Sequence, residues 1–308
     1  MKPIEDAIID YLQMRRVTGM KLNCYETYLN SFSSYLTQKK ANHISTRLAV
    51  QWAQLPSNTS INQMAKRLSI IRDFAKYYRI YDNQTQIPPA HLLRGKYQRV
   101  KPYIYSQNEI NELLVACLQV KSEGLRHLTY YTLLGLLIVT GCRIGEIIML
   151  ETNDYNADAG LLTIKNGKNR NTRIIPLHKS TIQMLNNYRN KSEYFHDTPT
   201  ASNYFVKENG TKLTVNGVET FFVRLSKTIG LRKENDSTGP RIHDFRHTFA
   251  VKTIIQWYQQ GLDVDQHMPF LSAYLGHQKP SDTYWYLTAV PELVALAARR
   301  FESSGGRL

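Results

Sequence analysis

The chain has 308 residues, 42% of them hydrophobic, with 39 Lys+Arg against 25 Asp+Glu for a formal net charge of +14. That length and apolar content exclude a disordered chain and allow two domains with separate cores. The charge points to a polyanionic partner, nucleic acid before membrane surface. It is uneven: residues 1–100 carry 15 basic and 6 acidic residues (+9), and residues 101–308 carry the remaining +5.

Cys24, Cys117 and Cys142 are far apart and form no Cys-x-x-Cys pair, so neither a zinc knuckle nor a disulfide framework is expected and a reducing compartment fits. Ile8-Ile9 lies between Asp6 and Asp10, so no signal peptide is expected, and the apolar run Leu133 to Thr140 is too short to cross a bilayer. The expectation is a cytoplasmic protein, nucleoid-associated when on DNA, with no membrane partner.

Residues 3–82 read as helical. Ile4, Ile8, Tyr11 and Leu12 share one face, and Tyr28, Phe32, Tyr35 and Leu36 share another over Asn23 to about Gln38. Ser45 suits the cap of a third helix carrying Leu48 and Trp52, and Ser60 the cap of a fourth carrying Leu68, Ile71, Ala75 and Tyr78. Lys66, Arg67, Arg72 and Lys76 lie on the other faces of that fourth helix and become candidate phosphate contacts because the whole segment is basic. A solvated helix face is the ordinary reading of such charges.

Residues 88–104 read as a basic linker. Pro88-Pro89 forbids a helix, and Arg94, Lys96 and Arg99 could lie along a DNA backbone. This divides the chain into a helical domain over 1–87, the linker, and a second domain over 105–308.

Ser106 with Glu109 fits a capping box, opening a helix over 107–118, with a strongly apolar one over 123–139. Thr140-Gly141-Cys142 breaks the run before Arg143 and Glu146, three apart in an apolar stretch. A partly buried arginine needs a carboxylate or an anion. Leu161 to Ile164 and Arg173 to Leu177 flank Asn166-Gly167-Lys168-Asn169 as a hairpin whose basic tip holds Lys165, Lys168, Arg170 and Arg173. Helices are expected over 178–187 and 214–229, from His243 to about Gln260, and from Pro269 onward. An amphipathic segment over 291–301 closes the chain.

The stretch from His243 to Tyr286 concentrates the chemistry. Cutting a phosphodiester without metal needs guanidinium groups for the non-bridging oxygens, a nucleophile, and a proton for the departing oxygen. Arg143, Arg246, Lys168, His243, His277 and Tyr286 supply each part. His243 and His247 are spaced i, i+4 like a zinc pair, but Asp244 stands where a metalloprotease has glutamate, and no metal is expected.

These residues resemble the tyrosine recombinases of the phage integrase and bacterial Xer type. Thr140-Gly141-Cys142-Arg143-Ile144-Gly145-Glu146-Ile147 resembles the family's first arginine motif, and Gly167-Lys168 through Pro176-Leu177 its lysine hairpin. His243-Asp244-Phe245-Arg246-His247 resembles its His-x-x-Arg motif, Leu275-Gly276-His277 its second histidine, and Tyr286 stands at the nucleophile's spacing. The resemblance implies a mainly α fold with a small antiparallel β-sheet, in two domains that clamp duplex DNA in a C shape. Tyr286 would form a 3′-phosphotyrosine, Arg143 and Arg246 would hold the phosphate, and Lys168 would protonate the leaving 5′-hydroxyl. His243 and His277 would assist, and Glu146 would orient the pocket around Arg143 and His243. No cofactor is implied. The partners implied are a specific DNA site with inverted half-sites and a homotetramer docked through residues 291–301. Asn169 departs from the family's Gly-Lys-Gly, which leaves Lys165 beside Lys168 as the acid, and Tyr284 stands beside Tyr286. A regulator of this fold without catalysis and a type IB topoisomerase are the competing readings.

Overall fold

The computed structural model describes residues 2–20, 22–55, 57, 59–93, 101–122, 124–165, 172–195, 202–236 and 239–303. The chain divides into two compact units, Met1–Val100 and Lys101–Leu308.

The first unit holds four helices: α1 (Ile4–Val17), α2 (Asn23–Gln38), α3 (Thr46–Gln54) and α4 (Ile61–Tyr78). Ser45 Oγ accepts the Leu48 N–H and Ser60 Oγ the Gln63 N–H, so both serines cap as their spacing predicts. Tyr11, Phe32, Trp52, Phe74 and Tyr78 fill the core in edge-on and stacked pairs. Two of the arginines expected at a DNA face are committed inside this unit. The Arg67 guanidinium lies 3.9 Å over the Trp52 ring and donates to the Trp52 carbonyl at 2.9 Å. Arg72 donates to the carbonyls of Pro88 and Pro89 at 2.7 and 2.8 Å. Neither was legible as a local pattern, because each partner is 15 or more residues away. Lys66 and Lys76 are exposed. Arg94, Lys96 and Arg99 lie outside the described residues.

In the second unit, α5 (Gln107–Leu118) opens with the reciprocal Ser106–Glu109 capping box, and α6 (Arg126–Thr140) follows, buried on nearly every side. A one-turn helix, α7 (Ile144–Ile147), and a 3-10 turn over Thr152–Asp154 lead into the sheet. Strands β1 (Tyr155–Asn156), β2 (Leu161–Ile164) and β3 (Arg173–Pro176) are antiparallel in the order β1-β2-β3. Leu162 faces Ile175 and Ile164 faces Arg173 across the hairpin. Alternation puts Leu162, Ile164 and Ile175 into the core. The sequence showed the β2–β3 pair; β1 has two residues, too few for a period to register.

Helices α8 (Lys179–Phe195), α9 (Val215–Thr228), α10 (His243–Gln259), α11 (Val264–Leu275), α12 (Ser281–Ala289) and α13 (Pro291–Ser303) complete the unit. Helix α8 runs eight residues past the expected end, because Tyr188 continues the buried face of Leu185. Pro269 does not open α11. Asp263 caps it by accepting from the N–H groups of Asp265 and Gln266, and Pro269 sits inside, at the cost of one backbone bond.

Two hydrophobic clusters share α10. Phe245 packs into the larger one around α6, the sheet, α8 and α9, and Ala250, Val251 and Ile254 pack into a second built with α11, α12 and α13. The first turns of α10 therefore lie where the clusters meet. Helix α13 packs against α10 and α12, with Leu293 fully buried.

Candidate active site

Two glycines set the geometry. Gly141 ends α6 at φ +62°, and a Cβ there would fall 2.7 Å from the Phe249 ring. Gly276 ends α11 at φ +67°, where a Cβ would meet the Arg173 guanidinium at 3.0 Å. Both positions need the left-handed backbone that glycine tolerates. The first turn hands the chain to Arg143, the second to His277.

The last carbonyls of a helix have no partner in the helix, and its dipole makes that end negative. At the end of α11 three arginines from three elements supply the partners. Arg173 Nε donates to the Tyr274 carbonyl at 2.7 Å, Arg246 Nη2 to the Leu275 carbonyl at 2.6 Å, and Arg143 Nη2 to the Gly276 carbonyl at 3.1 Å. Arg246 also donates to the Gly141 carbonyl at 3.0 Å, so it ties the two glycine turns together.

Glu146 lies under this cluster. Its carboxylate accepts Arg143 N–H and Nη1 at 2.9 and 3.0 Å, and Arg173 Nη1 and Nη2 at 3.1 and 2.7 Å. Burial alone would raise its pKa, but the hydrogen bonds from Arg173 and from the Arg143 backbone, with both positive charges, hold it below the ordinary value. The second partner of Glu146 is thus Arg173, where His243 was expected. Arg173 itself was expected as a DNA contact on a basic hairpin tip, together with Arg170. Instead its side chain is 13% exposed and locked to Glu146 and α11. Three guanidiniums against one carboxylate leave the cluster positive.

Arg246 is 2% exposed. Burial lowers its pKa to about 10, which leaves it cationic at neutral pH. The Arg143 side chain is 37% exposed and open to an approaching anion. His277 Nδ1 lies 2.6 Å from Thr283 Oγ1, and burial pushes the His277 pKa down to about 3. His243 is solvent-exposed and meets the His247 ring edge to face, centroids 4.8 Å apart. His247 Nδ1 lies 2.7 Å from the Tyr286 hydroxyl, and burial lowers the His247 pKa to about 4. Tyr286 is 1% exposed, whereas Tyr284 is at the surface.

The structure brings together Arg143, Glu146, His243, Arg246, His277 and Tyr286 from α7, α10, α12 and the turn after α11. Lys168 and Arg170 lie outside the described residues. Lys165 is engaged elsewhere: its ammonium pairs with Asp154 at 2.5 Å and Glu151 at 3.6 Å. Sequence reasoning missed Arg173 and His247 as parts of the pocket. The sequence carries a signal for His247, since its i, i+4 spacing from His243 puts both on one face of α10. Among the described residues no group of three or more His, Cys, Asp or Glu side chains could hold a metal ion.

A mainly helical unit with a three-stranded sheet and an arginine–histidine pocket facing a buried tyrosine defines the tyrosine recombinase class. Residues 104–292 match the model of the phage integrase family, and the chain belongs to that family. It is 41% identical to a putative integrase/recombinase, y4rB, of Sinorhizobium fredii, over 98% of each chain. It is 27% identical to tyrosine recombinase XerD of Staphylococcus haemolyticus, covering 93% of this chain and 94% of that one. Among solved structures the fold matches the Tn1549 transposon integrase in complex with transposon right end DNA (TM-score 0.68, 16% identity, 98% and 99% covered). It also matches the XerH site-specific recombinase bound to its palindromic difH substrate in a post-cleavage complex (TM-score 0.67, 18% identity, 91% and 80% covered).

Proposed function

We propose that the chain is a site-specific DNA recombinase that cuts and rejoins duplex DNA through a covalent 3′-phosphotyrosine on Tyr286. The observation that carries this reading is the Tyr286 hydroxyl, buried in the same pocket as Arg246 and within the field of that guanidinium. A tyrosine with only a packing role has no need of such a pocket.

In this mechanism the scissile phosphate enters beside Arg143, whose partly exposed guanidinium neutralises one non-bridging oxygen while Arg246 stabilises the other. His277 Nδ1 lies 2.6 Å from the Thr283 hydroxyl; with that hydroxyl as the donor, the proton sits on Nε2 and that nitrogen donates to the phosphate. His243, on the exposed side, assists in the same way. The Tyr286 oxygen attacks phosphorus, the bond to the 5′-oxygen breaks, and Lys168 protonates that oxygen. The pairing of Lys165 with Asp154 supports Lys168 over Lys165 in this role. The phosphotyrosine keeps the energy of the broken bond, so resealing by a 5′-hydroxyl needs neither metal nor nucleotide.

The partner is a duplex site with inverted half-sites, and Lys66, Lys76, Arg94, Lys96, Arg99 and Arg170 contact its backbone. The DNA complexes of the fold relatives support this partner. Higher identity to the integrase/recombinase y4rB than to XerD supports integration or excision of a mobile element over dimer resolution. A homotetramer forms on DNA when α13, packed on its own unit here, docks on a neighbour.

The test uses duplexes carrying the sequence that the purified protein enriches from a random pool, nicked beside the cut so that the covalent complex accumulates. Wild type is expected to form the adduct. Tyr286→Phe should bind with unchanged affinity and form none; an adduct of normal yield from this variant would refute the reading.

A further inference from the structure

We infer that His247 is the base that takes the hydroxyl proton of Tyr286 when the tyrosine attacks phosphorus. This rests on Tyr286 being the nucleophile and adds a catalytic residue to the reaction.

The nucleophile of a transesterification loses a proton as its bond to phosphorus forms, and a base must lie within hydrogen-bond reach of it. His247 Nδ1 is 2.7 Å from the Tyr286 oxygen. The other histidines are placed for other tasks: His277 Nδ1 is engaged with Thr283, and His243 is solvent-exposed and turned edge-on to the His247 ring. A phenol is the stronger donor and a neutral imidazole nitrogen the stronger acceptor, so Tyr286 donates, and His247 carries its own proton on Nε2. That orientation turns the hydroxyl hydrogen towards His247.

The ring is held for this task. Trp285 and Tyr286 approach it from α12, centroids 6.0 and 5.5 Å away. The charged and titratable groups facing it are His243, Asp244 and Arg246 on α10, Arg241 before it, and His277 after α11. Burial first, then His243, Arg241 and Arg246, keep the imidazole neutral while no phosphate is bound, so the resting tyrosine stays protonated. A phosphate between Arg143 and Arg246 offsets the positive field and strengthens the base at the moment it is needed.

The step balances. The Tyr286 oxygen–phosphorus bond forms, the phosphorus–O5′ bond breaks, the phenolic proton passes to His247 Nδ1, and Lys168 gives a proton to the 5′-oxygen. On rejoining, a 5′-hydroxyl attacks, its proton returns to the Lys168 amine, and His247 reprotonates the departing tyrosine.

The experiment uses the full chain and the nicked duplexes described above. His247→Asn places an amide oxygen near the Nδ1 position and keeps the hydrogen bond, but cannot carry the proton. Adduct formation is expected to fall by about 10²–10⁴-fold, the range of general-base contributions, with duplex binding unchanged. The deficit should shrink as pH rises from about 7 to about 9, because hydroxide then competes with the imidazole for the phenolic proton. Replacing the 5′-oxygen by sulfur, a leaving group that needs no acid, should restore Lys168→Ala and not His247→Asn. A wild-type rate from His247→Asn, a deficit that ignores pH, or rescue by sulfur would each overturn the assignment. If His247→Asn fails to bind duplex, His247→Ala, which removes the base outright, is read by the same criteria. Should wild type form no adduct on tyrosine, the nucleophile reading fails and this assignment with it. Should Tyr286→Phe abolish an adduct that His247→Asn forms normally, only His247 loses its role.

Discussion

At the scale of single residues, Arg173 shows how far a side chain's position can differ from its sequence setting. It stands in a run of basic residues beside a hairpin, where a solvated or DNA-facing charge is the ordinary expectation. Its register opposite Ile164, next to the turn after α11, instead sends it inward to Glu146 and the Tyr274 carbonyl. Removing one partner of a buried ion pair strands the other in a low-dielectric site. Arg173→Ala is therefore expected to destabilise the second unit by about 3–5 kcal/mol. Arg173→Lys should recover only part, because one ammonium cannot bond both Glu146 oxygens and the carbonyl together. Denaturant unfolding measures this; a loss below about 0.5 kcal/mol for the alanine variant, typical of surface positions, would contradict the buried role. Arg67 makes the same point in the first unit, where a ring in α3 takes the guanidinium that helical spacing assigned to solvent.

At the scale of elements, the chain's punctuation was legible. Ser45, Ser60 and the Ser106–Glu109 pair cap the helices their spacing indicates, because a cap depends on three or four consecutive residues. Strands β2 and β3 were legible for the same reason. Contacts made across the fold were not: sequence separations of 39 between His247 and Tyr286, or 27 between Glu146 and Arg173, leave no local trace. The motifs pointed to Arg143, Glu146, His243, Arg246, His277 and Tyr286 together, but not to Arg173 or His247, nor to the end of α11 as what three arginines grip.

The histidines on α10 and after α11 give this region a pH dependence. His247 and His277 have folded pKa values of about 4 and about 3, against an ordinary value of 6.5. The unfolded chain therefore binds more protons than the folded one between those limits, and stability falls with falling pH. Their contribution is complete above pH 6.5 and is lost as pH drops through the folded values. Glu146 adds to the loss at the acid end, since its pKa is depressed on folding. Melting temperatures are expected to decline from about pH 6.5 downward. The decline should be shallower in His277→Asn, which keeps an oxygen for Thr283 and has no proton to gain. An identical slope in that variant would mean that His277 does not titrate in this way.

At the scale of the whole molecule, the excess of basic residues lies in the first hundred positions and the arginine–histidine pocket in the second unit, and the proposed function divides holding and cutting between them. The net charge of +14 draws the chain to a polyanion without specifying a sequence. On the proposed reading, the pocket of Arg143, Arg246, His243 and His277 around Tyr286 carries out the strand transfer. Everything proposed for the cycle depends on one covalent bond from one tyrosine among 20. The most direct measurement is to trap wild-type protein on the nicked duplex, digest the complex, and locate the nucleotide-bearing peptide by mass spectrometry. The nucleotide is expected on Tyr286, through a 3′-phosphate. A nucleotide on Tyr284 or any other residue, or linkage through a 5′-phosphate, would contradict the account.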